Sequence, residues 1–417
     1  MFLRLFLALA PVTAILSAQT IEAVPSRIPV DEPASFRAGG LQPGERATIR
    51  AELTDGDGVH WTSQADFVAD AQGIIDTAKQ PPAKGSYKDV SAAGLIWSMT
   101  PSSHKIFRYR PPREFGVQTV EIHLLGGNRE VASARLEQAF IAEGVQKIDV
   151  HEGMLRGTLF LPGGSGPHPG VLVLGGSEGG MPSSRAAWLA SRGFAALALA
   201  YFRHDDLPRE LAGIPLEYFG TALNWMAHRP EIAPDRIGVM GMSRGAELAL
   251  QVASMVPGVR AVVAYSPADV RFPACCGATP VPWAWTWHGQ PLAWRPVRGF
   301  SPQEAMRATI EVERIHGPVL LTSGEADRVW DSPAMADSIV RRLKRDRFAY
   351  EAVHLNYPHA GHSAGLPEIV PAWQGEVRHP LSGQVMEMGG TPEGDAKASL
   401  DAIPRVLDFL RRSLEAH

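Results

Sequence analysis

Residues 237–255, IGVMGMSRGAELALQVASM, decide the fold of this 417-residue chain. The stretch begins with a short apolar run, typical of a buried strand, and ends with a pattern typical of a helix over residues 244–255. Between them lies the motif G-x-S-x-G, with Gly241 and Gly245 on either side of Ser243. A sharp turn from strand to helix needs small residues at these two positions, and it holds the serine hydroxyl clear of the sheet, beside the helix N-terminus. The stretch therefore predicts that Ser243 is a nucleophile.

The chain around this motif alternates between apolar strands and helical patterns. The other apolar runs occur at residues 170–176, 194–202, 261–267, 318–324 and 350–357. Helical patterns occur at residues 183–193 and, near the end of the chain, at residues 396–414. Apolar strands that alternate with helices indicate a mostly parallel, doubly wound sheet that is buried on both faces. We expect this α/β domain to occupy residues 143–417, with a hairpin-like turn at residues 161–170.

The predicted nucleophile needs a general base, and the base needs an orienting carboxylate, because a serine hydroxyl is a weak nucleophile at neutral pH. In this architecture the acid follows a late strand. Asp327 is the expected acid, since the run at residues 318–324 leads directly into Glu325-Ala326-Asp327. Glu325 and Asp331 are the alternatives.

The base is expected after the last strand of the sheet. His362 lies there in the sequence A-G-H-S, a loop with little steric bulk. His359 is the first alternative. His354 is a second one, but it falls inside the predicted strand, where a packed histidine is expected.

A tetrahedral intermediate at Ser243 carries an oxyanion, which needs preorganised hydrogen-bond donors. The first expected donor is the backbone N–H of Arg244, directly after the nucleophile. The second is expected from the glycine-rich loop GGSEGG at residues 175–180, where we predict the N–H of Ser177. This loop lacks the Lys-Ser/Thr of a P-loop and the spacing of a dinucleotide-binding fingerprint, which argues against a phosphate-binding turn.

Residues 19–142 have a different pattern. Short alternating runs, such as residues 45–53 and 59–67 on either side of the turn TDGDG, predict strands. Strands with turns at roughly ten-residue spacing are typical of a sandwich of two sheets. We therefore expect a small all-β sandwich domain over residues 19–142, before the α/β domain.

The first 18 residues, MFLRLFLALAPVTAILSA, contain one basic residue, then an apolar stretch, then small residues. This is the layout of a secretory signal. The run is short for a membrane span and is interrupted by Pro11 and Thr13. We expect a signal peptide over residues 1–18, an exported protein that is periplasmic or secreted, and no stable membrane span in the mature chain.

Residues 271–300 lie between the strands that lead to the predicted nucleophile and acid, and they are rich in tryptophan. Trp283, Trp285 and Trp287 occur at period two, so an extended stretch would place them on one face. They are expected to pack a cap against the sheet or, alternatively, to line an apolar pocket for an acyl chain near Ser243.

Composition excludes several classes of function. The net charge is −4, so the basic footprint of a nucleic-acid-binding protein is absent. The two cysteines, Cys275 and Cys276, are too few for a disulfide framework or a zinc site made of cysteines, and form either a vicinal pair or two free thiols. The 14 histidines include no H-E-x-x-H motif. We expect no metal site and no cofactor.

The motifs together resemble a known family. The segments GGSEGG, GVMGMSRGAEL, SGEADRVW and YPHAGHSAGLP, in this order, look like the acyl-CoA thioesterase and bile acid-CoA:amino acid N-acyltransferase family. Residues 29–53 and 85–101 are similar to that family's N-terminal β-sandwich domain, and residues 389–410 to its C-terminal helix. The resemblance covers nearly all of the chain after residue 18. It implies an α/β hydrolase domain behind the sandwich.

The resemblance also implies roles for individual residues. Ser243 would be the nucleophile, Asp327 the acid and His362 the base. The amino-acid-conjugating members of the family use Cys where this chain has Ser243, so the serine favours hydrolysis over transfer to an amine.

The activity expected from these patterns is hydrolysis of a small-molecule acyl thioester through an acyl-enzyme intermediate. A second interpretation keeps the mechanism and changes the substrate to an oxygen ester, which the export signal favours. The third is a secreted binding protein with a silent site. The complete set of Ser, Asp and His argues against the third interpretation.

Overall fold

The computed structural model describes residues 18–103, 108–374 and 377–415 of the chain. Residues 1–17, nearly all of the predicted signal peptide, lie outside the described residues. The described residues form five sheets, of three, seven, eight, three and two strands, and before residue 183 they include one short α-helix and one 3₁₀ turn.

Ten strands build the first part of the chain: β1 (Thr20–Val24), β2 (Arg27–Pro29), β3 (Ser35–Gly39), β4 (Arg46–Thr54), β5 (His60–Val68), β6 (Ile75–Asp76), β7 (Lys84–Gly85), β8 (Thr100–Pro101), β9 (Val117–Gly126) and β10 (Arg129–Ala139). They form a smaller sheet in the order β1-β3-β6 and a larger one in the order β2-β10-β9-β4-β5-β7, with β8 beside β5. Every second residue of β4 and β5 is buried. This period-two pattern gives each strand one core face, as a sandwich requires.

The second part of the chain contains the remaining strands: β11 (Gln146–Glu152), β12 (Leu155–Leu161), β13 (His168–Leu174), β14 (Ala195–Ala200), β15 (Ile214–Pro215), β16 (Ile232–Met242), β17 (Val262–Tyr265), β18 (Trp285–Trp287), β19 (Gln290–Pro291), β20 (Val319–Gly324), β21 (Ala352–Tyr357), β22 (Val377–Arg378) and β23 (Val385–Met386). Eight of them form one sheet in the order β11-β12-β14-β13-β16-β17-β20-β21. The first two pairings are antiparallel, and those from β14 to β21 are parallel.

Residues 161–170 do not form the hairpin-like turn that the sequence suggested. β14 lies between β12 and β13, antiparallel to the first and parallel to the second. β13 is buried from Gly170 to Leu174. A strand that is apolar on both sides is best covered in the centre of a sheet, so β13 takes a central position instead of pairing with its predecessor.

The helices are α1 (Gly94–Trp97), α2 (Ser183–Ser191), α3 (Glu217–Ala227), α4 (Arg244–Met255), α5 (Pro302–Ala308), α6 (Ser332–Arg345) and α7 (Pro392–Leu414), with short 3₁₀ turns at Arg113–Phe115 and Val312–Arg314. Side chains of α2 and α7 share a core with one face of the large sheet and with the sandwich. Those of α3, α4 and α6 share a core with the other face. The sheet is therefore covered on both sides, which confirms the predicted fold class: an α/β hydrolase domain preceded by a small β-sandwich.

The sandwich is joined to the α/β domain through buried polar contacts. The carboxylate of Asp31 accepts hydrogen bonds from the indole Nε1–H of Trp188 at 2.7 Å and from the guanidinium Nε–H of Arg192 at 2.8 Å. The Ile369 amide donates to the Val30 carbonyl at 2.9 Å, and the Ala372 amide donates to the Trp97 carbonyl at 3.0 Å. The chain that follows the predicted base is thus attached directly to the sandwich.

Candidate active site

Ser243 lies at the turn between β16 and α4. Its backbone has φ 58° and ψ −124°, a conformation that costs energy in any residue with a side chain. A Cβ on Gly241 would lie 1.9 Å from the Gly245 carbonyl oxygen, and a Cβ on Gly245 would lie 2.3 Å from the Gly175 carbonyl oxygen. Both flanking positions therefore exclude any side chain. The strain is held in place because the turn connects a central strand to a buried helix.

A continuous hydrogen-bond chain joins the three predicted residues. The Ser243 hydroxyl lies 2.9 Å from His362 Nε2, and His362 Nδ1 lies 2.8 Å from Asp327 Oδ2. A carboxylate can only accept, so Nδ1 carries the imidazole proton and Nε2 is left to accept from the hydroxyl. The side chains of His362 and Asp327 are 1% and 0% exposed. The arrangement places the serine hydroxyl against an imidazole nitrogen that is oriented to accept its hydrogen bond.

The carboxylate of Asp327 is fixed by three further donors. Its Oδ1 accepts from the amides of Val329 at 2.9 Å and Trp330 at 3.3 Å, and its Oδ2 accepts from the Ser332 hydroxyl at 2.6 Å. The Trp330 ring packs edge-on against the imidazole of His362, with 4.9 Å between ring centroids. These contacts leave the acid and base little freedom to turn away from each other.

The alternative acids lie elsewhere. Asp331 is the N-cap of α6, where its side chain accepts from the Ala334 amide at 3.1 Å. Glu325 accepts from the side-chain amide of Asn356 at 3.1 Å. Within the part of the chain that the structure describes, neither carboxylate is hydrogen-bonded to an imidazole. Asp331 caps a helix, and Glu325 lies in a turn.

The alternative bases also lie outside the chain of hydrogen bonds at Ser243. His354 forms a second Ser-His-Asp set: its Nε2 lies 2.6 Å from the Ser323 hydroxyl and its Nδ1 lies 2.9 Å from Asp337. Ser323 is fully buried and lies within β20, not at a turn from strand to helix. His359 has φ 60°, and its carbonyl accepts from the Thr391 amide.

The loop at residues 175–180 lies against the turn that holds Ser243. A Cβ on Gly176 would lie 3.4 Å from the Met242 carbonyl oxygen. Within the loop, the amides of Gly179 and Gly180 are engaged by the carbonyls of Gly176 and Phe202. The predicted oxyanion donor from this loop, the amide of Ser177, comes before those two residues.

The other predicted oxyanion donor is the first amide of α4. An N–H at this position has no carbonyl within its own helix to donate to, so the amide of Arg244 is suited to an oxyanion. The side chain of Arg244 has a different partner, because its Nε lies 2.8 Å from a carboxylate oxygen of Glu247. The oxyanion roles of Arg244 and Ser177 stay predictions.

Sequence reasoning missed His379, which holds the Ser177 loop from the other side. Its Nε2 lies 3.0 Å from the Ser177 carbonyl oxygen, and its Nδ1 accepts from the amides of Leu381 and Ser382 at 3.2 and 3.3 Å. Burial lowers the pKa of His379, so the neutral form with a proton on Nε2 is favoured. It lies in a segment without periodicity, and the sequence carries no signal that could have found it.

The three tryptophans divide into two groups. Trp285 is 1% exposed, packs against Tyr201 and Phe219, and donates its indole N–H to Glu247 at 2.6 Å. Trp285 is therefore packed as a core residue, and its alternative role in lining an acyl pocket stays a prediction.

Trp283 and Trp287 are half-buried, and their pocket role stays a prediction. The same segment contains Cys275 and Cys276, which the structure joins in a vicinal disulfide.

Glu247 is a further buried group that the sequence did not reveal. It is fully buried on α4, one turn after the nucleophile. Burial raises the pKa of its carboxyl group, and the positive charge of Arg244 opposes that rise. Its oxygens accept from Trp285 and from the Phe272 amide at 3.3 Å. The carboxylate therefore anchors the tryptophan-rich segment to the helix that starts at the nucleophile.

A cavity of about 490 Å³ opens beside the acid and base loops. Its lining includes Ala326 and Arg328 on either side of the acid, and His359 and Met388 near the base. Among the described residues, no group of three or more His, Cys, Asp or Glu side chains is arranged to hold a metal ion. Within the same residues, no helix is both long and apolar enough to cross a membrane.

Two models of one family match most of the chain. The N-terminal region of the acyl-CoA thioester hydrolase/BAAT family matches residues 31–152, and the family's C-terminal part matches residues 214–276 and 293–416. The chain belongs to this family. Membership confirms the resemblance seen in the sequence motifs and supports a hydrolase enzyme.

Individual relatives cover almost the whole chain. Acyl-coenzyme A thioesterase 1 of Rattus norvegicus is 34% identical over 397 residues, which cover 92% of this chain and 94% of that protein. Acyl-coenzyme A thioesterase 1 of Homo sapiens is 30% identical over 410 residues, with 93% and 94% covered. Among solved structures, a dienelactone hydrolase-like promiscuous phosphotriesterase from metagenomic libraries matches 65% of this chain and 98% of its own, with 20% identity and a TM-score of 0.41.

Proposed function

We propose that this protein is a serine hydrolase that cleaves acyl thioesters of the acyl-CoA type. The observation that carries the proposal is the hydrogen-bond chain from Ser243 through His362 to Asp327, with distances of 2.9 and 2.8 Å. Family membership supplies the substrate class, because relatives of this chain are named acyl-coenzyme A thioesterases. The mature enzyme needs no cofactor for this chemistry.

Acylation begins when the Ser243 oxygen attacks the thioester carbonyl carbon. The new C–O bond forms as the hydroxyl proton passes to His362 Nε2, and the carbonyl electron pair moves onto oxygen. The amides of Arg244 and Ser177 stabilise that oxyanion. When the intermediate collapses, the C–S bond breaks, and His362 returns its proton to the departing thiolate. The products of this step are a free thiol and an acyl-enzyme ester.

Deacylation repeats the sequence with water. His362 removes a proton from a water molecule as its oxygen attacks the acyl carbon, and the oxyanion forms again. Collapse breaks the bond to Ser243, and His362 returns the proton to the serine oxygen. A carboxylic acid leaves and the enzyme is restored. Asp327 holds the imidazole in the correct tautomer throughout and stabilises the imidazolium in both steps.

A matched set of variants tests the proposal. The purified protein is given an acyl-CoA chain-length series and the corresponding oxygen esters, alongside Ser243→Ala and Ser323→Ala. Ser323 is the matched control, because it also contacts a histidine that contacts an aspartate. We expect a clear preference in kcat/KM for thioesters, lost in Ser243→Ala and kept in Ser323→Ala. Loss of activity only in Ser323→Ala would contradict the assignment of the nucleophile.

An exported carboxylesterase is the second candidate, and the signal-like residues 1–18 favour it. Export would separate the enzyme from the intracellular acyl-CoA pool. We propose that the chain is exported and cleaved near Ala18. Cell fractionation with N-terminal sequencing tests this, with a mature start near Gln19 expected. Fast cleavage of oxygen esters with slow thioester turnover would establish the second candidate in place of the first.

A further inference from the structure

The first turn of α7 packs directly beneath the loop that carries the base. A Cβ on Gly394 would lie 2.2 Å from the His359 carbonyl oxygen, and a Cβ on Gly390 would lie 2.3 Å from the Gly361 amide nitrogen. The amide of Thr391, the N-cap of α7, donates to the His359 carbonyl at 2.9 Å. Contact between backbones at these distances leaves no room for side chains. The helix therefore fixes the position of the loop.

One charged side chain of this turn reaches the loop. Asp395 is 7% exposed, and its Oδ1 accepts from the Gly361 amide at 2.8 Å. Gly361 directly precedes His362 in the chain. The Oδ2 of Asp395 accepts from the side-chain amide of Gln374 at 3.0 Å. The proposed mechanism makes no use of this buried carboxylate.

We infer that Asp395 is a positioning residue for the proposed hydrolase, holding Gly361 in place and, as a carboxylate, supporting the positive charge that His362 acquires in each transition state. The inference rests on the proposed function. It differs from the role of Asp327, because Asp395 acts on the imidazole through the backbone and through its charge, without a hydrogen bond to the ring.

The electrostatics of the site agree with the geometry. Burial, assisted by the negative charge of Asp327, raises the pKa of Asp395 to about 6, against the Gly361 hydrogen bond and the charge of His362. The other charged groups in the same helical turns face elsewhere: Glu393 pairs with Lys397 at 2.7 Å, and Lys397 pairs with Asp89 at 2.8 Å.

These facts give the direction of two effects. The folded-state pKa of Asp395 lies above its ordinary value of 3.8, so ionising it costs stability at neutral pH. A neutral side chain of the same shape removes that cost. If the charge serves catalysis, Asp395→Asn gains stability and loses activity together. If Asp395 served the structure alone, its replacement by asparagine would not raise stability and lower activity at the same time.

The test compares the wild type with Asp395→Asn, Asp395→Ala and the control Glu393→Gln, which removes a carboxylate that does not touch the loop. The first readout is the rate of Ser243 labelling by a fluorophosphonate between pH 4.5 and 9, which does not depend on the natural substrate. The second is kcat/KM for an acyl-CoA or ester over the same range. Thermal unfolding at pH 7.5 is the third.

We expect the asparagine variant to label about threefold to tenfold more slowly at its plateau, since one nearby charge commonly changes such rates by this order. Its rate should lack the additional drop of about threefold to tenfold that the wild type shows at acid pH, where Asp395 takes up a proton. Its melting temperature should rise by about a few degrees. The alanine variant should be slower still, because the Gly361 amide loses its acceptor. The control should behave like the wild type.

An unchanged plateau and an unchanged drop at acid pH in Asp395→Asn would overturn the inference while leaving the proposed function intact. Failure of the wild type to be labelled at Ser243 would instead overturn the proposed function. Should Asp395→Asn not fold, Gln374→Leu provides the same test. It removes a donor to the Asp395 carboxylate and so raises the pKa of that group. The drop in rate that follows protonation of Asp395 should therefore move to higher pH, and no movement would count against the inference.

Discussion

The exchange Asp327→Asn tests the proposed orientation of the base. Oδ1 of Asp327 accepts from two backbone amides, at 2.9 and 3.3 Å, and Oδ2 faces the His362 Nδ1–H and the Ser332 hydroxyl. An asparagine has one oxygen to offer. If the oxygen serves the two amides, the NH₂ group faces Nδ1 of His362 and forces the proton onto Nε2. Nε2 can then no longer accept from Ser243.

The two backbone amides determine which orientation of the asparagine side chain is favoured. Each hydrogen bond to them contributes about 1 kcal/mol, and turning the NH₂ group toward them leaves buried donors unpaired at a further cost of about 1–3 kcal/mol. The Ser332 hydroxyl can rotate and accept from NH₂, so it imposes no preference. The unproductive orientation is therefore favoured by about 3–5 kcal/mol, which leaves roughly one molecule in 10² to 10⁴ with the productive tautomer.

We expect kcat for the best acyl substrate to fall about 10³- to 10⁴-fold, since the same exchange in a Ser-His-Asp triad costs about 10⁴. Asp331→Asn is the matched control: it lies four residues on, caps α6, and asparagine caps a helix as well as aspartate does. The control should stay within about twofold of the wild type, because asparagine preserves the cap. The assay is steady-state hydrolysis with circular dichroism to confirm folding. Retention of a tenth of the activity by Asp327→Asn, or an equal loss in the control, would refute the reasoning.

Three further substitutions test the structure around the site. Trp285→Phe removes the donor to buried Glu247 and should lower the free energy of unfolding by about 1–3 kcal/mol, measured by urea denaturation; no change would show that the carboxylate finds another donor. Asp31→Ala leaves buried donors of the α/β domain unpaired and should cost about 3–5 kcal/mol, so a melting temperature equal to that of the wild type would contradict the described junction. His379→Ala releases the Ser177 loop and should reduce kcat/KM about tenfold to a hundredfold with a smaller effect on unfolding, whereas a loss of stability alone would argue against an oxyanion role for that loop.

Much of the site was predictable because its determinants are local. The helix expected at residues 244–255 is α4. It was predictable because an apolar strand, a turn with a glycine on either side of the serine, and a helical pattern follow one another directly in the chain. Asp327 and His362 follow late strands of a parallel sheet, whose carboxyl ends meet at one edge. Chain order and strand position were therefore enough to bring them to Ser243.

The parts that escaped prediction depend on contacts between distant segments. Period two placed Trp283, Trp285 and Trp287 together without saying what would cover them, and the acceptor that draws Trp285 into the core is Glu247, 38 residues earlier. His379 reaches Ser177 across 202 residues from a stretch without periodicity. Such pairs leave no pattern within a single element.

The backbone contacts between the sandwich and the chain after the base have an evolutionary consequence. The Ile369 amide is paired with the Val30 carbonyl, and the Ala372 amide with the Trp97 carbonyl, so these bonds do not depend on which side chains are present. The side chains of both partners can be substituted during evolution without breaking these backbone hydrogen bonds. Recombination that exchanged one half of the gene for an unrelated module would break it at once. The two halves are therefore expected to be inherited as a unit and to diverge together, each constraining the insertions that the other can accept.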